Sequence, residues 1–300
     1  IVAAWKKWFP YEENADYVYV FDPAANSWEK RTPMPTDRRR GSAAVVVVGS
    51  KIYVSHGNRG GHEQDGEDKA TSVGWIDYYE IDKDKWTALT GKDAPNPRDH
   101  TGGALIGNKI CVAGGRNGGV PGWPSVAPTD CFNLSTNEWE VKADIPQPRA
   151  GASYGQTCDG KLIIAGGEGE GKAWTNVDVF DGENWTTIDS LNVGRHGSGL
   201  AVDCDCETIT VASGNAKQGG SSEIKSVETF FYSGSDNQCG QTPNTPAPLP
   251  KPTVAPIPSP TPVPTPGPTS GPTKVPTSYS LPPQTSHPTA KAPADVPVRA

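Results

Sequence analysis

Arg149-Ala-Gly-Ala-Ser-Tyr-Gly155, Asp159-Gly160, Lys161-Leu-Ile-Ile-Ala165, Gly166-Gly167, Val177-Asp-Val-Phe180 and Asn184-Trp185 follow one another in 37 residues. The apolar runs are short and rich in β-branched or aromatic residues. Turn residues separate them, including an Asp-Gly pair of the kind that closes a hairpin. Four short strands account for the whole stretch, and no helix fits in it.

The same parts recur on both sides. Trp28, Trp86, Trp139 and Trp185 are 58, 53 and 46 residues apart, a period near that of propeller blades. An arginine precedes each first strand: one of Arg38, Arg39 and Arg40, then Arg98, Arg149 and Arg195. The second strands, Lys51-Ile-Tyr-Val54, Lys109-Ile-Cys-Val112, Lys161-Leu-Ile-Ile164 and Glu207-Thr-Ile-Thr-Val211, run into small-residue pairs. These are His56-Gly57, Gly114-Gly115, Gly166-Gly167 and Ser213-Gly214. An aromatic stands seven residues before Trp28, Trp86 and Trp139, and five before Trp185.

These residues resemble the kelch repeat, whose hallmark is a Gly-Gly doublet, an aromatic and a spaced Trp. The resemblance covers roughly residues 1 to 235. It implies an all-β fold: a kelch-type β-propeller of four-stranded antiparallel blades, five of them at least partly visible and six expected in the full protein. Gly at a strand end permits positive φ and close approach, so a Trp can pack where a Cβ would obstruct it. Trp28, Trp86, Trp139 and Trp185 are therefore expected in the core, with Gly114, Gly115, Gly166 and Gly167 as structural corners. The His56-Gly57 and Ser213-Gly214 blades are expected to differ there. Ile1-Val-Ala-Ala4 reads as a second strand without its partner, and the fifth unit lacks a closing Trp strand. Closing the ring then requires strands from upstream of Ile1. Ala43-Ala-Val-Val-Val-Val48 reads as a strand buried on both faces.

Composition divides the chain into a propeller over 1-238 and a Pro/Thr/Ser-rich segment over 239-300. Of 30 prolines, 19 fall in the last 60 residues, where missing donors and fixed φ favour polyproline II over a packed core. Ser and Thr amid Pro suit O-glycosylation, as in mucin-like stalks. That segment holds four cations against Asp295, hence +3, leaving −10 of the overall −7 for the rest. An acidic propeller argues against a nucleic-acid partner. No apolar run is long enough to span a bilayer. Cys111, Cys131, Cys158, Cys204, Cys206 and Cys239 are even in number and lack metal-ligand spacing. They read as disulfides of a protein outside the cell, at the surface or in the wall, with Cys111 and Cys131 placed to bridge within one blade. Asn133 and Asn184 head Asn-x-Ser/Thr sequons. The acidic run His62-Glu-Gln-Asp-Gly-Glu-Asp-Lys69 lacks the spacing of a calcium loop and reads as solvated surface. No metal or cofactor site is expected.

In a meander the loop before the first strand and the loop after the second share a face. Arg98, His100, Arg149, Arg195 and His196 are thus expected near the axis, ringed by Arg116, Glu168, Trp123 and Trp174. Guanidiniums, amides and exposed indoles in a concave mouth can bind carboxylates by forked hydrogen bonds and sugars by stacking. An arginine repeated in every blade can equally be a fastener between blades. The reading is a secreted or cell-surface binding module that recognises glycan or protein through its loop face. The resemblance leaves two alternatives. One is a carbohydrate-active enzyme like the galactose-oxidase copper enzymes, for which no Tyr and Cys set can be picked out, or like the sialic-acid mutarotases, which need an acid such as Glu168 beside the arginines. The other is an intracellular adaptor.

Overall fold

The computed structural model describes residues 13–15, 17–60, 71–205, 207–220 and 222–232. Ile1-Val-Ala-Ala4, the acidic run His62–Lys69, Cys206, Cys239 and the segment 239-300 lie outside the described residues. The chain divides into two units, Ile1–Pro243 and Asn244–Ala300, and every described residue belongs to the first.

The protein is all-β, a propeller of antiparallel blades. The first sheet pairs β1 (Val18–Asp22) with β2 (Ser27–Arg31). The second runs β3 (Ala44–Val48), β4 (Lys51–Ser55), β7 (Ile76–Glu80), β8 (Lys85–Ala88), with the hairpin β5 (Asn58–Arg59) and β6 (Thr71–Ser72) rising from its loop. The third is β9 (Gly102–Ile106), β10 (Lys109–Ala113), β11 (Thr129–Asn133), β12 (Glu138–Lys142). The fourth is β13 (Ser153–Gln156), β14 (Leu162–Ala165), β17 (Asn176–Phe180), β18 (Trp185–Ser190), with the hairpin β15 (Glu168–Gly169) and β16 (Lys172–Ala173). The fifth has three described strands, β19 (Gly199–Asp203), β20 (Thr208–Ala212) and β21 (Val227–Phe231). The first strands of successive blades, β3, β9, β13 and β19, are neighbours in space.

Strands this short bury too little within one sheet, so the hydrophobic core forms between sheets, as wedges from paired blade faces. Val18, Met34 and Val54 pack with Tyr79 and Trp86 between the first two blades. Ala44 and Val46 meet Ile110, Val112 and Phe132 across the next seam. Leu162, Ile164 and Phe180 meet Ala113 and Cys131, and Ile163 and Val179 meet Ile209 and Val211. The run Ala43–Val48 departs from the sequence expectation: Ala44 and Val46 are buried, but Val45 is 41% and Val47 59% exposed. Along β3 one face meets the third blade, and the other has no equally close neighbour among the described residues.

Each seam is fastened by the repeat residues. Trp86, Trp139 and Trp185 lie against Tyr79, Phe132 and Phe180, with ring centroids 5.0 to 5.3 Å apart. Their indole Nε1 groups donate to the carbonyls of Thr32, Lys92 and Ala143, each in the chain leaving the preceding blade. Trp28 corrects the expectation of a core tryptophan. It packs on Phe21 at 5.0 Å yet is 58% exposed, because no blade precedes its own among the described residues. Cys111 and Cys131, opposite each other in the β10–β11 ladder, form a disulfide. A second, Cys158–Cys204, joins the turn after β13 to the turn after β19 and so ties the fourth blade to the fifth.

The four small-residue pairs adopt one conformation, contrary to the expectation of two kinds of corner. Both residues have positive φ in every blade: 61° and 111° at His56-Gly57, 64° and 89° at Gly114-Gly115, 65° and 117° at Gly166-Gly167, 61° and 98° at Ser213-Gly214. The first position carries a side chain at His56 and Ser213, whereas a Cβ on Gly166 would stand 2.3 Å from Arg195 O; the second position is glycine throughout. A Cβ on Gly115 would stand 2.6 Å from Asp99 O.

Candidate functional site

Arg40, Arg98, Arg149 and Arg195 are 0% exposed. This corrects the expectation that Arg98, Arg149 and Arg195 line an open mouth: they are enclosed in the sheets and hold their own blades together. Arg98 donates to the carbonyls of Asn96, Gly114 and Pro128 and pairs with Asp130 at 2.9 Å. Arg149 donates to Gly166, Gln147 and Ile164 carbonyls and pairs with Asp178 at 2.7 Å. Arg40 pairs with Asp77 at 2.7 Å, and Arg195 with Glu228. The acid in each case stands two residues before the third-strand aromatic: Tyr79, Phe132, Phe180 or Phe230. An acid at one fixed offset inside an apolar strand is the sequence signal for an inward-facing arginine. His56 belongs to the same framework, with Asp130 3.5 Å from its Nε2 and Trp139 against its edge. Complete burial pushes its pKa down to about 4, against the opposing pull of Asp130.

The residues beside these arginines do reach the loop face. In each blade the residue after the arginine pairs in an isolated bridge with the residue after the doublet: Gly41 with Asn58, Asp99 with Arg116, Ala150 with Glu168, His196 with Asn215. The two loops therefore share one face, and each blade contributes one side chain at the same level.

Those side chains form a continuous polar chain across blades. Asn58 Nδ2 donates to Asp99 Oδ2 at 3.1 Å, as does Ser72 Oγ. His100 Nδ1 lies 2.5 Å from Asp99 Oδ1, and its Nε2 lies 3.3 Å from Arg116 Nη2. Asp99 can only accept at Nδ1 and Arg116 can only donate at Nε2, so the ring carries its proton on Nδ1. Burial alone would raise the Asp99 pKa. The hydrogen bonds from His100 and Ser72 and the charge of Arg116 instead hold it below the usual carboxylate range. Arg116 also reaches Glu168 Oε1 at 3.6 Å. Glu168 Oε2 accepts from the Gly219 amide at 2.8 Å and lies 3.5 Å from His196 Nε2. The carbonyls of Lys217 and Gly219, each 2.8 Å from that nitrogen, make it a donor. The expected residues His100, Arg116, Glu168 and His196 are thus brought together, although Arg98, Arg149 and Arg195 are not exposed beside them.

Next to this chain, between the third and fourth blades, opens a cleft of about 400 Å³ lined by Arg116, Trp123, Gln147, Glu168, Glu170 and Gln218, among others. Trp123 is 39% exposed and has a φ of 48°, a left-handed backbone that a bulky residue rarely adopts. The Arg116 guanidinium sits 4.6 Å from its ring centroid. Trp174 is half-buried behind the β15–β16 hairpin, with Lys172 Nζ 3.8 Å above its ring. Ser72, Gln147, Glu170 and Gln218 went unremarked in the sequence because nothing in their spacing repeats. Of the two sequons, Asn184 is exposed in the turn before β18. The Asn133 Oδ1 instead accepts from the amides of Ser135 and Thr136. Among the described residues no group of three or more His, Cys, Asp or Glu is placed to hold a metal ion. No described helix is long and apolar enough to cross a membrane.

The family model described as KLHDC2/KLHL20/DRC7 Kelch-repeats domain matches residues 9–216. Kelch-like protein terF of Aspergillus terreus is 32% identical over 190 residues, covering 61% of this chain and 40% of that protein. Kelch-like protein 15 of Danio rerio is 28% identical over 207 residues, covering 62% of this chain and 32% of that protein. The chain thus spans about a third to two fifths of the length of these curated relatives. The solved structure titled Structure of YjhT superposes with a TM-score of 0.57 at 17% identity, over 70% of this chain and 71% of that one, a likeness of fold.

Proposed function

We propose, since the chain belongs to the family of kelch-repeat domains and is a protein-binding propeller, that its recognition site is the cleft between the third and fourth blades, and that the ligand is a short segment of a partner protein. The observation that supports this most is Trp123, an exposed indole held in a left-handed backbone at the rim of a polar cleft. Local strain of that kind persists where surrounding structure over-determines it, and such places cluster at binding sites. Aromatic anchors and arginines dominate protein-binding energetics. The charges around the cleft favour a ligand other than an acidic one. The cleft guanidinium, Arg116, already faces Asp99 and Glu168, and Glu170 adds a further carboxylate. A neutral or basic segment therefore suits it better than an acidic one.

The reading extends to a setting outside the cell. Four of the six cysteines are joined in two disulfides, one within a blade and one between blades, which persist in oxidising compartments. Alkylation of the non-reduced protein followed by peptide mass mapping should leave these four cysteines unlabelled; labelling of all four would overturn this part of the reading.

A displayed library of random 12-residue peptides, panned on the folded chain, tests the site. Selected peptides should bind at least tenfold more weakly to Trp123→Ala, and equally well to the outer-strand variant Val141→Ala. Peptides insensitive to Trp123→Ala, or no selected peptides at all, would remove the cleft as the recognition site.

A further inference from the structure

Gly169, in β15 on the cleft wall, has no side chain although its backbone does not require glycine: its φ lies outside the left-handed region. A Cβ built there would meet Ser125 Oγ at 3.4 Å, Trp174 Nε1 at 3.5 Å and Pro148 O at 3.9 Å, all ordinary contact distances. A methyl group would thus fit there without strain; Gly169 and Ser125 belong to the cleft lining, and the Trp174 indole lies directly behind them. One of the groups around it is unusual. Trp174 Nε1 is a buried donor with no hydrogen-bond partner, whereas Trp86, Trp139 and Trp185 all donate to main-chain carbonyls. Leaving a buried N–H unmatched is costly, and such a group in a native protein calls for an explanation.

We propose that Gly169, Ser125 and Trp174 form a subsite for one main-chain carbonyl oxygen of the bound peptide. The Trp174 Nε1–H and the Ser125 hydroxyl donate to its two lone pairs. A carboxylate is disfavoured because Glu168 and Glu170 line the same cleft, while an amide oxygen brings no charge. This proposal rests on the peptide-binding reading above and adds to it the group that is recognised and the residues that recognise it.

The test uses library-selected peptides and three variants of the full chain. Gly169→Ala places its methyl in the cradle and should weaken peptide binding at least tenfold, with urea unfolding unchanged. Trp174→Phe removes the donor and keeps the ring, and should also weaken binding. The ¹H–¹⁵N indole resonance that disappears in Trp174→Phe should move downfield as peptide is added to the unaltered chain, and should stay fixed when the same peptide is added to Gly169→Ala. A peptide whose contacting amide is replaced by an ester, a poorer acceptor, should bind more weakly to the unaltered chain and lose nothing further on Trp174→Phe. Binding that is sensitive to Trp123→Ala but indifferent to Gly169→Ala and Trp174→Phe would overturn the subsite and leave the cleft intact. A response of the Trp174 resonance to methyl α-pyranosides at concentrations where no peptide moves it would overturn the peptide assignment in favour of a sugar hydroxyl. The absence of any peptide response overturns both readings.

Discussion

At the level of single residues, the second position of each doublet is held to glycine by its surroundings. It combines a left-handed φ with a neighbouring carbonyl where a Cβ would lie, and its amide crosses to the next blade. Gly57, Gly115 and Gly167 donate to the carbonyls of Arg98, Arg149 and Arg195. Gly115→Ala should therefore cost about 3 kcal/mol in urea unfolding, whereas Ser213→Gly, at a first position that already carries a side chain, should change stability by less than about 1 kcal/mol. His56 carries a pH dependence. Its folded pKa of about 4 lies below the ordinary value near 6.5, so the unfolded chain binds its proton first. Its contribution is fully present above pH 6.5, declines as pH falls, and is exhausted below about 4; the whole interval corresponds to about 3 kcal/mol. His56→Asn, which tolerates the left-handed backbone, should shrink the stability difference between pH 7.5 and 4 by about that amount. An unchanged difference would mean that other groups carry the acid sensitivity. At this scale the sequence was only partly legible. The glycines, tryptophans and arginines announced themselves by recurring. That the arginines face inward depends on Asp77, Asp130, Asp178 and Glu228, whose shared offset from the aromatic is a fainter signal than the glycines and tryptophans. The cleft residues Ser125, Gln147 and Gln218 recur nowhere, so no periodicity could mark them.

Among the elements, the blade is the unit that repeats, and the arginine–acid pair is its clasp. From the segment that leads into the first strand, the guanidinium binds carbonyls at the end of the second strand and reaches the acid on the third, so one side chain ties the second and third strands to the entry of the first. Such a pair contributes little net energy compared with an apolar substitute. Breaking it leaves a buried charge uncompensated, at about 3–5 kcal/mol. Asp178→Asn should lose that much, and the double variant Arg149→Met, Asp178→Leu should recover a large part of it; equal losses would indicate that the carbonyl bonds, not the charge pair, matter. The four-strand order of the blades was legible from the turn residues and the apolar runs, but the small hairpins β5–β6 and β15–β16 lay in stretches that read as loops. The exposure of Val45 and Val47 was not legible either. A continuous apolar run looks the same whether its strand has a neighbour on one side or on both.

Among the described residues, the blades meet through wedges of side chains, indole bonds and one covalent link. Cys158–Cys204 closes a loop 46 residues in sequence separation, for which chain entropy gives about 4 kcal/mol. Cys158→Ser with Cys204→Ser should lower the unfolding free energy accordingly and expose the fifth blade to proteolysis before the third. The propeller thus keeps its repeated charges for its own cohesion, and the proposed function assigns recognition to the non-repeating loops between the third and fourth blades. A crystal structure of the chain with a selected peptide bound tests that division directly. The account predicts peptide density against Trp123 and Gly169, with Arg98, Arg149 and Arg195 still covered. Density on the opposite face, or in contact with those three guanidiniums, would contradict it.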